Sequence, residues 1–237
     1  MTASNLFKLA GGHGMVIFKR CHDPLTFALR DLEDVLEVSA QWFAAAAREG
    51  PSFPSHFFLV WNCLPRAGAS QYHGHVQLFA LERPLPGAAL FNGAERYRAE
   101  HGADYFEDVR EAAENLGLLH RFGDGAAAFP ALAPVQDSEV VVHGKSLTDS
   151  GFVQALHHVL RTFVDGLGHT SFGLGVHLPP AEAGAGAPVV ARVVHRGKVD
   201  GSPSSDFGSL EVFGLASVGK ADPWALSDLL GQRLARC

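Results

Sequence analysis

The stretch Asn62-Cys63-Leu64-Pro65-Arg66-Ala67-Gly68-Ala69-Ser70-Gln71-Tyr72-His73-Gly74-His75-Val76-Gln77 holds the sharpest chemical signal in the chain, and its last residues decide how the rest is read. In an extended chain successive side chains point to opposite faces, so His73, His75 and Gln77 share one face while Gly74 and Val76 take the other. Burying such polar groups without partners costs on the order of 1–3 kcal/mol each, so they must meet water, a ligand or one another. Ahead of them, Ala67, Gly68, Ala69 and Ser70 are small enough for backbone amides to approach a phosphate, and Ser70 adds a hydroxyl. An imidazole beside such a loop suits attack on phosphorus. It is neutral and nucleophilic near pH 7, and its phosphoramidate is labile enough to pass the group on. By itself, H-x-H on a strand also fits metal sites in β-barrels and plain structural pairs. A long helix before the motif and few strands after it count against the barrel.

Upstream, Met15 to Phe18 reads as a short strand ending at the turn His22-Asp23-Pro24. Asp31 is the predicted N-cap of an amphipathic helix carrying Leu32, Val35, Leu36, Trp42, Phe43 and Ala46, stopped by Gly50-Pro51. His56 to Trp61 and His75 to Leu81 read as strands. This order of strand, helix, strand, loop, strand returns about 120 residues later. Val140 to Val142 gives a strand, Ser150 opens a helix presenting Phe152, Leu156, Val159, Leu160 and Phe163, and Ser171 to His177 and Val189 to Val194 follow as strands. HFFLVWN (56–62) can be laid over SFGLGVH (171–177), and HVQLFALERP (75–84) over VARVVHRGKV (190–199). The pattern predicts an α+β protein of two tandem half-units, 1–122 and 123–237, each an antiparallel sheet with a packed helix. Between them lie a polar helical stretch, Ala94 to Leu119, and the Ala/Gly/Pro-rich segment Gly123 to Pro134. Gly208 to Ser217 reads as a further strand, and Asp222 caps a last helix with Pro223 first and Leu226, Leu229, Leu230 and Leu234 inward.

A chain of 237 residues with 47% hydrophobic and 19% charged side chains has an ordinary soluble globular composition, which excludes disorder and coiled coil. Net charge −6 and the lack of a Lys/Arg run count against nucleic acid as a partner, since that affinity comes from neutralising many phosphates. No apolar run approaches the roughly 18 residues of a membrane span, and Met1 to Gly14 lacks an apolar run long enough for a signal peptide. Cys21, Cys63 and Cys237 are odd in number and far apart, so a reducing cytoplasm is the expected compartment.

The run AGASQYHGHVQ, with Asn62 13 positions ahead of His75, resembles the active-site signature of the galactose-1-phosphate uridylyltransferase branch of the histidine triad superfamily. That branch includes dinucleoside polyphosphate phosphorylases and ADP-sugar phosphorylases. GMVIFKRCHDPLTF, AERYRAEHG and LGHTSFGLGVHLPP resemble further segments of it, and GSLEVFGLA resembles a late strand with a glutamate, here Glu211. The resemblance implies two histidine-triad-like repeats and a nucleotidyltransferase or phosphorylase acting on a nucleoside polyphosphate or NDP-sugar. His75 corresponds to the nucleophile that forms a covalent nucleotidyl-histidine. Gln77 stands where hydrolytic relatives keep a third histidine and would hydrogen-bond the transferred group. Ser70 corresponds to a phosphate contact and Asn62 to a site-orienting residue, with Gly68, Ala69 and Gln71 beside them in substrate binding. Gln71 in place of the Asn-Pro of sugar-uridylyl enzymes leans toward the phosphorylase side and adenine nucleotides.

His22 and His73 correspond to two zinc ligands of the uridylyltransferases. Those enzymes have a longer N-terminal part supplying two cysteine ligands. Here about 14 residues without cysteine precede the first strand. The expectation is therefore at most one zinc, from an incomplete set of donors. His177 and His195 echo positions that hold a structural metal in some members, with Tyr97 in place of the family's glutamate. The expected partners are a nucleotide or nucleotide-sugar and a phosphate-bearing acceptor, with a homodimer as one way to complete the pocket. The rival readings are a phosphoester hydrolase, in which water ends the cycle, and a non-catalytic nucleotide- or metabolite-binding protein of the same fold.

Overall fold

A computed structural model describes residues 1–4, 9–49, 56–168, 170–180, 183, 186–197 and 221–235. In chain order the elements are β1 (Thr2–Ser4), β2 (Gly12–Ile17), α1 (Leu29–Ala47), β3 (His56–Cys63), β4 (His75–Leu81), α2 (Ala89–His101), α3 (Tyr105–Asn115), β5 (His120–Phe122), β6 (Ala126–Pro130), β7 (Val140–Gly144), α4 (Ser150–Arg161), β8 (Phe172–His177), β9 (Val189–His195) and α5 (Pro223–Leu234). The fold class is the expected α+β, but the half-unit sheets join edge to edge. One nine-stranded sheet runs β1-β2-β4-β3-β8-β9-β7-β6-β5. All of its pairings are antiparallel.

The junction is the β3–β8 pair, where Val60 faces Gly175. On one side β3 is followed by β4 and β2, and on the other β8 is followed by β9 and β7. Gln77 pairs with Val60 and Arg192 with Gly175, so these two residues hold matching places in the two halves, as the overlay of the sequences places them. Ser171 Oγ donates to the Cys63 carbonyl at 2.6 Å and ties the start of β8 to the end of β3.

The period-2 pattern decides what each face does. On β3 and β4 the side chains of Leu59, Trp61, Val76 and Leu78 are buried beneath α1, and the main core continues through Val142, Leu156, Leu174 and Val193 beneath α4. Trp61 is fully buried, with Phe18, Phe27 and Phe172 rings 4.8, 5.2 and 5.0 Å away. Over the opposite, outer face of the second half lie α2 and α3, whose Phe91 and Phe106 pack with Val190. The outer face of the first half carries the half-buried Val60, Asn62, His75 and Gln77.

Several boundaries differ from the sequence expectation for local reasons. Asp31 is the third residue of α1, and its carboxylate reaches back to accept from the Ala28 amide at 2.9 Å. Asp149, not Ser150, caps α4 by accepting from the Phe152 amide. The stretch Ala94 to Leu119 is two helices, because Gly102 takes the left-handed region (φ 67°) and Asp104 caps a new helix through the Phe106 and Glu107 amides. Gly123 to Pro134 contains β6, whose alanines are buried. On α5, Leu226 and Leu230 face inward while Leu229 is half-buried and Leu234 exposed. The expected strand Gly208 to Ser217, with Glu211, lies outside the described residues. Among those residues no helix is long and apolar enough to cross a membrane.

Candidate active site

Strand β4 sets His75 and Gln77 on the outer face, two residues apart, with Val76 and Leu78 anchoring the opposite face in the core. His75 Nδ1 lies 2.9 Å from the His73 carbonyl oxygen. A carbonyl only accepts, so Nδ1 carries the proton and Nε2 carries the lone pair. Nε2 makes no hydrogen bond among the described residues. The backbone thus fixes the tautomer and leaves the outward nitrogen nucleophilic.

His73 sits where the chain turns into β4. Its Nε2 donates to the Phe18 carbonyl at 2.7 Å, while its Nδ1 faces His22 Nδ1 at 2.7 Å. With Nε2 protonated, neutral His73 accepts at Nδ1, and His22 is the donor. The Phe18 amide donates to the Gly74 carbonyl at 3.0 Å, closing β2 against this turn. A Cβ on Gly74 would stand 3.1 Å from the Phe18 ring, so a larger residue here would push the ring back by a few tenths of an ångström. The zinc expected from the resemblance needs four donors in a closed structural site. Among the described residues no group of three His, Cys, Asp or Glu converges, so the two imidazoles do not fit such a site. Cys63 lies buried in the core, its thiol pushed up to about 12 by burial, which makes it a packing residue.

The loop before the motif departs from the phosphate cradle the sequence suggested. Leu64 has φ 70° and Gly68 φ 95°, and Pro65–Ala67 forms a tight 3₁₀ turn. The Ala67 and Ala69 amides both donate to the Leu64 carbonyl, and the Gly68 amide to the Pro65 carbonyl. Gly68 and Ala69 therefore shape the turn, with their amides turned inward. Ser70 and Gln71 are exposed at its end, and the Ser70 hydroxyl makes no hydrogen bond among the described residues. Asn62 lies on the outer face beneath this loop, its amide nitrogen 3.7 Å from where a Gly68 Cβ would be.

One residue of the site escaped the sequence reading. His13, on β2, places Nε2 2.9 Å from Gln77 Oε1. Its only sequence signal is the alternation that puts it, with Met15 and Ile17, on the face of His75.

His177 and His195 do not come together. They pair with Val190 and Phe172 at opposite ends of the β8–β9 ladder, roughly 17 Å apart by strand rise, so no metal can take both. His177 is buried, tilted 4.7 Å from the Phe58 ring, and lines a cavity of about 200 Å³ with Phe57, Phe58, Leu81 and Leu85. Burial, with Arg192 adding, pushes it down to about 4. Tyr97 donates to Asp108 at 2.7 Å and braces α2 against α3.

No protein-family profile matches the sequence, and no curated protein matches it. Solved structures do match the fold. A uridylyltransferase structure superposes with a TM-score of 0.80 at 18% identity, covering 99% of this chain and 79% of the other. An ADP-glucose phosphorylase from Arabidopsis thaliana with bound ADP-glucose superposes at 0.72 with 15% identity, covering 97% and 80%. A DUF4931 family protein from Bacillus cereus gives 0.59 at 14%, covering 99% and 94%. The fold expected from the H-x-H-x-Q resemblance is the fold these structures share.

Proposed function

We propose that the chain is a nucleotidyltransferase or phosphorylase working by double displacement at His75. The observation that carries this reading is the His75 Nδ1 to His73 carbonyl bond, which leaves the Nε2 lone pair available on the outer face of the sheet. Nε2 attacks the α-phosphorus of a nucleoside polyphosphate or NDP-sugar. A P–N bond forms, the P–O bond to the leaving phosphate breaks, and its electron pair leaves with that oxygen. An acceptor phosphate oxygen then attacks the same phosphorus, the P–N bond breaks, and the imidazole returns to its starting tautomer. In this reading Gln77, two residues along the strand, donates from its amide to a non-bridging oxygen, Ser70 donates from its hydroxyl, and Asn62 orients the nucleotide. The fold shared with the uridylyltransferase and with the ADP-glucose phosphorylase supports the reaction class.

The test is intact-protein mass spectrometry after incubation with a panel of α-labelled nucleotides and NDP-sugars. The expected result is one nucleotidyl adduct per chain, mapped to His75 and absent in a folded His75→Ala variant. An adduct that survives this change, or maps to His73 or His177, overturns the assignment. Binding of nucleotide without any adduct favours the non-catalytic reading.

A further inference from the structure

The geometry points to His13 as the residue that decides which end of the Gln77 amide faces the transferred phosphoryl group. This rests on the nucleotidyl-transfer reading above and adds to it a residue 64 positions away in sequence. The Leu9 amide nitrogen lies 3.2 Å from His13 Nδ1. A backbone N–H can only donate, so Nδ1 must offer its lone pair and the proton of the neutral ring sits on Nε2. That Nε2–H points at Gln77 at 2.9 Å, and it can be accepted only by the amide oxygen. The NH₂ group therefore occupies the other end of the amide. With the amide flipped, N–H would confront N–H at His13, and the carbonyl oxygen would meet the anionic phosphoryl oxygens.

The ring that makes this choice is itself held. His13 is buried, stacks on Phe79 at 4.3 Å with planes 25° apart, and is fixed at its far nitrogen by the backbone. Register places Met15 opposite Gln77 and His13 opposite Phe79, so the contact runs diagonally between neighbouring strands on the outer face. A donor set before the substrate arrives costs no reorganisation when charge develops on the phosphoryl oxygens. His13 is thus a positioning residue, acting on the substrate only through Gln77.

Two variants and two measurements test it. His13→Leu fills the space without a donor, while His13→Gln restores an NH₂ group near the place of Nε2. In single-turnover labelling of the full chain, His13→Leu should lower the maximal rate by about tenfold or more while changing half-saturation less than about threefold, and His13→Gln should recover most of the rate. In ¹⁵N spectra of the wild type, His13 should show a protonated Nε2 and an unprotonated Nδ1, and the Gln77 amide resonances should move in His13→Leu. A folded His13→Leu that labels at the wild-type rate, or a His13→Gln as slow as His13→Leu, overturns the proposal. So does a proton found on Nδ1, a result that needs no variant to fold. If no nucleotide labels even the wild type, the transferase reading fails, and the nitrogen spectra alone then uphold or overturn the hold of His13 on the Gln77 amide.

Discussion

His22 Nδ1 and His73 Nδ1 face each other at 2.7 Å, closer than two nitrogens sharing a zinc ion can stand. Zinc–nitrogen bonds of about 2.0–2.1 Å in a tetrahedron hold their nitrogens roughly 3.4 Å apart. The pair is closed by a proton, and His73 is locked behind it by Phe18. A zinc entering here would displace that proton, part the rings and find only two protein donors among the described residues. We expect any zinc to be lost on dialysis against a chelator, with the thermal midpoint unchanged within about 2 °C, since a closed structural site would contribute far more. Elemental analysis checks this. A stoichiometric, chelator-resistant zinc that survives His22→Ala would place the metal elsewhere.

We expect the fold to lose stability in acid, because burial holds the proton off five histidines, three of them most strongly. His143 is pushed down to about 3 by burial, with Arg110 adding, and its buried Nδ1, beside the Phe106 and Phe129 rings, has no hydrogen-bond partner among the described residues. His157 and His177 are pushed down to about 4, also chiefly by burial. In the unfolded chain each takes up its proton near pH 6.5. Above that both states are neutral and contribute no slope. Between pH 6.5 and about 4 only the unfolded state binds these protons, so stability falls as pH falls, by up to about 1.4 kcal/mol per pH unit for a fully buried ring such as His143. Urea midpoints should be flat above pH 7 and decline below 6.5. His143→Leu should remove part of that decline, and an unchanged slope in that variant would discard this account.

The parts of the fold legible in the sequence are those ruled by periodicity. Strand β4 was readable from His75 to Leu81 because alternation alone sorts Val76, Leu78 and Ala80 into the core. The matched order of the two halves was readable for the same reason. What stayed hidden depends on backbone angles or distant chain. The inward turn of the Gly68 and Ala69 amides follows from positive φ at Leu64 and Gly68, and nothing in Leu-Pro marks a leucine at positive φ. His13 meets Gln77 only once β2 pairs with β4 in one particular register. Ala126 and Ala128 of β6 look like linker and become core because α4 and α5 pack on that strand.

Gly68 offers a test of the loop. At φ 95° a β-carbon is strained, although the space beside it is open apart from Asn62. Gly68→Ala should therefore cost about 1 kcal/mol through the backbone alone, and Gly68→Asn less, since asparagine tolerates the left-handed region better. Because this turn positions Ser70 and overlies Asn62, the labelling rate at His75 should drop in Gly68→Ala even where the protein is fully folded. Denaturant titration and single-turnover labelling measure the two effects. Wild-type stability in Gly68→Ala would mean the turn does not take this conformation.

On the proposed double displacement, Gln77 would decide the fate of the nucleotidyl-histidine. Its amide can donate to a phosphoryl oxygen but cannot relay a proton, so water attacking the nucleotidyl-histidine finds no general base there. In Gln77→His an imidazole replaces the amide, a group that as the imidazolium gives a proton to a leaving oxygen and as the neutral ring so formed takes one from incoming water. We expect the wild type to release more acceptor-linked than free mononucleotide when an acceptor phosphate is present, and Gln77→His to shift the ratio toward free mononucleotide by about tenfold or more. Chromatography of labelled products against a series of phosphate and sugar-phosphate acceptors measures both. A wild type that yields only free mononucleotide with every acceptor fails as a transferase, and hydrolysis is then its reaction.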